Sequence, residues 1–407
     1  MPPMVFVPGY GMGALQVEVR RDQEIRATFD FLLPGMNPES ILPPPARTAL
    51  EYSVSSGLSP DDQGEVSSWL KLETLEDGRV RSKPGVTVEP VSIGKNFAAE
   101  CPRYATMAER MQGEGWFADE NLFCLPFDYR FPPQATGFAA NLRNLIESVV
   151  RDSASGQVVL ACHSQGCLFS YYALRTMDPD WLQEHVLLFF SFAGQFSGCS
   201  DCMRWAFQED WSWDPNNALV SVSDRTWAGE LALGLQSSVY RDQVLYRNGE
   251  AEYRAGDVGR LLNDTGALSM ERATRRYALD AQDWFRLGDV ERTELVVESR
   301  FLYGTKIPTT VGFTYPSIPP RAPDCVDPTC AGFMEEDYPG EIRADGDGGD
   351  STWMNEAPQR WTKNPACDMR AFPGVPHMEI FENPEALGLL GGAVRALLAG
   401  APACLAQ

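Results

Sequence analysis

No run of about 20 apolar residues occurs in this 407-residue chain, so it offers no membrane-spanning helix. Basic residues are outnumbered: 34 Lys and Arg face 56 Asp and Glu, for a net charge of -22. So acidic a surface repels phosphate backbones and argues against nucleic acid as a partner. Anionic membranes repel it as well, so lipid contact has to come from a local apolar or basic patch. Ten cysteines are too few for a disulfide scaffold at this length. Cys199 and Cys202 form a C-x-x-C pair, but no second pair or histidine cluster completes a zinc site, so neither metal nor cofactor is expected. Also missing is the basic-then-apolar start of a signal peptide, because Met1-Pro2-Pro3 runs straight into a strand-like segment. Two placements stay open: cytoplasmic and membrane-peripheral, or a secretory or endomembrane lumen if a leader is missing. The sequon Asn263-Asp264-Thr265 matters only in the second. There is no internal repeat or low-complexity tract.

What is present describes an α/β protein. Hydrophobic residues make up 44% of the chain, enough for a sizeable core. Met4 to Val7 reads as a buried strand ending at Pro8-Gly9. Phe138 to Val150 places Leu142, Leu145, Ile146, Val149 and Val150 on one helical face. Val158 to Cys162 is continuously apolar, as in a strand covered on both faces, and Cys167 to Arg175 reads as a helix. His185 to Phe192 and Leu295 to Tyr303 are further strand candidates. Alternating strands and helices predict a mostly parallel sheet with helices on both faces. The chain is read as one domain over 1–407 with two insertions: a loop-rich one at 20–95, with prolines at 43–45, and a largely helical cap at 198–291.

The segment Val159-Leu160-Ala161-Cys162-His163-Ser164-Gln165-Gly166 carries the most chemistry. A strand enters x-H-S-x-G and leaves as a helix, the setting of a nucleophile elbow. That turn is tight, so the flanking residues must be small; it lifts the serine hydroxyl above the sheet and aims backbone N–H groups at a developing oxyanion. Gly166 meets the requirement after the serine; before it, Cys162 stands where glycine is usual.

A serine hydroxyl needs a base, and only His163, His185 and His377 are available. His163 adjoins the nucleophile and is expected to face away from it. His185 opens an apolar strand and reads as structural. His377 follows Pro373-Gly374-Val375-Pro376 near the C-terminus and fits the chain order Ser, acid, His of α/β-hydrolases. The acid belongs in the Gly-rich stretch from Asp345 to Trp353. Its Gly-Asp-x-Thr-hydrophobic pattern favours Asp350, with Asp347 the main competitor. A calcium loop would also begin Asp-x-Asp-Gly, but no Glu stands at its last ligand position.

At this point the chain resembles the lecithin:cholesterol acyltransferase and phospholipid:diacylglycerol acyltransferase family. Five segments carry the likeness in order: Phe6-Val7-Pro8-Gly9-Tyr10, Lys83-Pro84-Gly85-Val86, Pro126-Phe127-Asp128-Tyr129-Arg130, Leu302 to Thr309, and the acid loop from Asp345 to Thr352. The resemblance implies an α/β-hydrolase fold with Ser164, Asp350 and His377 as catalytic residues. It also implies an oxyanion hole built from the backbone N–H groups of Tyr10 and Gln165. Asp128 and Arg130 would pair in the core or near the acyl pocket, 20–95 would hold a lid and membrane-binding region, and Cys330 would bridge to Cys367. The implied partners are a phospholipid, an acyl-acceptor lipid and the surface of a membrane or lipid particle. The implied activity is O-acyl transfer from a glycerophospholipid to a sterol or diacylglycerol. The alternatives are a phospholipase A or lipase using water, and an inactive hydrolase fold that binds lipid.

Overall fold

The structure is a computed structural model, and it describes residues 1–21, 24–31, 65–66, 68–198, 226–229, 237–284, 295–316, 340–402 and 404–405. The centre is a six-stranded sheet: β1 (Met4–Val7), β2 (Leu122–Cys124), β3 (Val158–His163), β4 (Val186–Phe192), β5 (Ser299–Thr305) and β6 (Met369–Pro373). Its spatial order is β6-β5-β4-β3-β1-β2, and every pair is parallel. The apolar runs follow from this, since a parallel sheet is covered on both faces. All residues of β1, β3 and β5 are buried.

Alternate side chains feed two separate cores. Val158, Leu160 and Cys162 pack with Leu142 and Ile146 of α1 (Phe138–Arg151) and with Phe169 and Leu174 of α2 (Gln165–Thr176). Val159 and Ala161 face the other way, into a cluster with Leu387, Leu390 and Val394 of α3 (Pro384–Leu398). The period of two in the strands thus sets which helix each residue meets. Helices on both faces of a parallel sheet, with a strand-turn-helix elbow at Ser164, make this an α/β-hydrolase fold.

Four expectations change. The segment 20–95, expected to be loop-rich, supplies much of an antiparallel sheet among its described residues. Strands Leu15–Arg21, Glu24–Phe31 and Val86–Pro90 pair there, with Leu15–Arg21 in the centre. The signal was a period-two pattern, because Ala27, Phe29 and Phe31 are buried while their neighbours face out. Residues 32–64, with the proline cluster, lie outside the described residues. His185 ends a short helix, Pro179–His185, instead of opening a strand. The cap holds helices at Val258–Asp264 and Leu268–Trp284, but also a hairpin, Tyr246–Asn248 with Ala251–Tyr253, that joins the strand Ile307–Tyr315. Cys367 bonds to Cys404, in place of the expected partner Cys330, which lies outside the described residues, as do Cys199 and Cys202. The other disulfides among the described residues are Cys101–Cys124 and Cys162–Cys167.

Candidate active site

Ser164 sits where β3 ends and α2 begins, with φ 53° and ψ -130°. A non-glycine residue is held there only by its surroundings. The Ser164 N–H donates to the Phe192 carbonyl of β4 at 3.1 Å, and its own carbonyl accepts from Cys167 and Gln195 at 3.0 and 3.2 Å. Gly166 is required by sterics, since a Cβ there would run into the Pro8 and Val7 carbonyl oxygens. Cys162, the departure from glycine, is fully buried and bonded to Cys167 on α2, with Cα atoms 4.9 Å apart. The bridge spans the turn on its core side, so the larger residue fits.

His377 follows β6 on a loop that brings its Nε2 to 3.0 Å from the Ser164 hydroxyl. Its Nδ1 meets two carboxylates: Asp347 Oδ2 at 3.2 Å and Asp350 Oδ2 at 3.5 Å. Both aspartates are fully buried. Asp347 is the more fixed. Its Oδ1 accepts the N–H groups of Gly349 and Asp350 at 3.0 and 2.7 Å, and its Oδ2 accepts Asn355 Nδ2 at 3.1 Å. Its carbonyl also accepts the His377 N–H at 2.7 Å. Asp350 accepts Gln195 Nε2 at 3.1 Å. The preference for Asp350 over Asp347 therefore finds no support in distance: the competitor is nearer.

The acid loop is positioned by the antiparallel strands Ile307–Tyr315 and Gly340–Gly346, the first of which follows directly from β5. Gly304 on β5 lets the loop settle close, because a Cβ there would lie 2.7 Å from Asp347 Cβ. Gly349 likewise passes over the imidazole, where a Cβ would lie 2.7 Å from His377 Cγ. Asn355 and Gln195 carried no sequence signal; only the folded loops bring them to the carboxylates.

Around the serine, Gln165 is the first residue of α2, so its N–H has no acceptor within the helix. Tyr10 follows Pro8-Gly9 at the end of β1, the strand next to β3, and Gly9 packs against Ser164, where a Cβ would lie 3.0 Å from Ser164 Cβ. The structure thus gathers Ser164, His377, Asp347, Asp350, Tyr10 and Gln165 at the carboxyl ends of the central strands, the usual place for ligands in such sheets. His185 lies elsewhere, stacked on Trp181 with its Nδ1 2.9 Å from the Trp181 carbonyl. Asp128 and Arg130 pair as expected, at 2.7 Å, and Arg130 reaches on to the Leu70 carbonyl and Ser82 of the first insertion. A cavity of about 690 Å³ lined by Pro3, Lys95, Asn121 and Asn144 opens at the amino ends of β1 and β2 and touches none of the gathered residues.

His163, beside the nucleophile, points into the core and is fully buried. Burial, and then the neighbouring His377, hold its basicity well below the usual histidine range. Its Nε2 lies 3.1 Å from the His377 carbonyl oxygen and its Nδ1 2.9 Å from the Tyr104 hydroxyl. Burial also pushes the Tyr104 hydroxyl well above its ordinary value.

The sequence profile described as lecithin:cholesterol acyltransferase matches residues 72–208 of this chain. The chain is 24% identical over 413 residues to a mouse protein named lysosomal phospholipase A and acyltransferase, covering 96% of this chain and 89% of that protein. The human protein of the same name is 24% identical over 418 residues, with the same coverages. A rice protein named lecithin-cholesterol acyltransferase-like 1 is 23% identical over 399 residues, covering 94% and 83%.

Proposed function

Because the chain belongs to the lecithin:cholesterol acyltransferase family, we propose that it moves fatty acyl groups of glycerophospholipids through an acyl-serine at Ser164. The observation that carries this reading is the 3.0 Å contact between Ser164 Oγ and His377 Nε2 at a strained strand-to-helix turn. His377 takes the hydroxyl proton as the oxygen attacks the ester carbonyl. Asp347 holds the imidazole through Nδ1–H and stabilises the cation that forms. The backbone N–H groups of Tyr10 and Gln165 receive the oxyanion. Collapse of the tetrahedral species breaks the ester bond, and His377 hands its proton to the departing lysolipid oxygen. A hydroxyl acceptor then gives up its proton to His377, attacks the acyl-serine and regenerates Ser164.

With a sterol or diacylglycerol hydroxyl as acceptor the reaction is acyl transfer; with water it is a phospholipase A reaction. Both are kept because the mouse and human relatives carry both activities in one name. The outcome turns on which acceptor enters and how well water is excluded. Product analysis from labelled phosphatidylcholine liposomes, with and without sterol or diacylglycerol, separates the two. Acylated acceptor that vanishes in Ser164→Ala supports transfer, and free fatty acid alone supports the hydrolase. No Ser164-dependent product, with no fluorophosphonate labelling of Ser164, would leave a lipid-binding protein.

A further inference from the structure

We propose that His163 and Tyr104 form a buried brace that fixes the backbone of His377 and the Gly9 turn relative to the nucleophile strand, which makes His163 a positioning residue for the proposed base. The inference rests on the reading of His377 above.

The argument is one of donors and acceptors. A carbonyl oxygen only accepts, so the 3.1 Å contact between His163 Nε2 and the His377 carbonyl requires the proton on Nε2. A neutral ring then has a lone pair on Nδ1, which can only accept. The group 2.9 Å from Nδ1 is the Tyr104 hydroxyl, so Tyr104 donates. That hydroxyl also lies 3.0 Å from Met12 Sδ, but a thioether is a weak acceptor and the imidazole nitrogen takes the single proton. The Tyr104 oxygen in turn accepts the Gly9 N–H at 2.8 Å. The chain runs in one direction, from Gly9 N–H to Tyr104 to His163 to the His377 carbonyl.

Every link is out of water, with Tyr104 and His163 fully buried. Phe381 closes the other side, its ring centre 4.6 Å from both. A lost bond here therefore leaves a desolvated group that nothing replaces. The consequence for His377 is specific. Its N–H is held by the Asp347 carbonyl at 2.7 Å and its C=O by His163. Both backbone polar groups of the proposed base are pinned from outside its own loop, one by the acid loop and one by the residue next to Ser164. The imidazole is then suspended from a fixed peptide, and its reach to Ser164 is set before substrate arrives.

Two experiments test the brace. Histidine ¹⁵N NMR of the wild-type protein at neutral pH is expected to show His163 as the neutral Nε2–H tautomer. A cation or an Nδ1–H tautomer overturns the proposal with no variant needed. The second compares rates of fluorophosphonate labelling in His163→Gln and His163→Asn. Glutamine can place an amide N–H where Nε2 was, whereas asparagine is too short to reach the His377 carbonyl. Labelling is expected to slow about ten- to a hundredfold in His163→Asn, with KM for a short-chain ester unchanged, and to return close to the wild-type rate in His163→Gln. Wild-type rates in both variants, or equal losses in both, overturn it, since simple packing would not tell them apart. If label attaches to wild type and Ser164→Ala alike, the underlying reading of Ser164 fails and this inference falls with it, a result distinguishable from an intact Ser164 reaction that ignores residue 163.

Discussion

At the scale of single residues, the two carboxylates beside His377 differ in how firmly they are held. Besides its contact with His377 Nδ1, the Asp347 carboxylate accepts two backbone N–H groups and the Asn355 amide, and its carbonyl fastens the His377 N–H; Asp350 is shared with Gln195. Asp347→Asn is therefore expected to lower the labelling rate by about 10⁴-fold, the scale seen when a triad histidine loses its orienting acid. Asp350→Asn is expected to lose much less, and the opposite ranking would return the role to Asp350. Gly349→Ala places a methyl against the imidazole and should slow labelling and lower the melting temperature, because the His377 ring or the acid loop must shift to make room. Ser164 could be read from the sequence because an elbow is a local pattern, and His377 because only three histidines compete. The acid could not. Asp345, Asp347 and Asp350 crowd one short stretch, and the close approach of Asp347 to Gly304 on a distant strand is set only by the fold. His163 was expected to face away from the nucleophile, and it does; its contact with residue 377 has no local signature.

Among elements, the central strands were legible because a parallel sheet buries both faces and leaves long apolar runs. The antiparallel sheet of the first insertion was not, because half of each strand is polar and alternation over seven or eight residues is easily taken for loop. Buried Arg130 is the rivet between that insertion and the sheet. Removing it in Arg130→Ala strands Asp128 and should destabilise the fold by about 3–5 kcal/mol, measured by urea unfolding. The disulfides act on different scales. Loop-closure entropy gives about 2 kcal/mol for Cys162–Cys167, with a separation of 5, and about 4 kcal/mol for Cys367–Cys404, with a separation of 37. Paired Cys→Ser replacements should reproduce that ranking in unfolding midpoints. Neither pairing was legible, because spacing along the chain does not report distance across a sheet.

Over the whole molecule, pH and folding act through the same buried groups. His163 is neutral in the folded chain, its basicity depressed, while the unfolded chain leaves it near the ordinary value of about 6.5. Above that pH neither state binds the proton and the residue has no effect. Below it the unfolded state takes up a proton that the folded state refuses, so stability falls by up to about 1.4 kcal/mol per pH unit. Urea titrations between about pH 7 and 5 should show this slope in the wild type and a flatter one in His163→Gln. The net charge of -22 predicts a second trend. Turnover on phosphatidylcholine vesicles should drop when phosphatidylglycerol is added and recover with salt, as the repulsion is screened. The separation along the chain of the groups that meet at Ser164 has its own effect in time. The serine contact spans 213 residues and the brace 214, so more than half the chain must be in place before either can close. Contacts this distant form late. During refolding, then, secondary structure should return first and reactivity toward fluorophosphonate last, which would make Ser164 a clock for the final step of assembly.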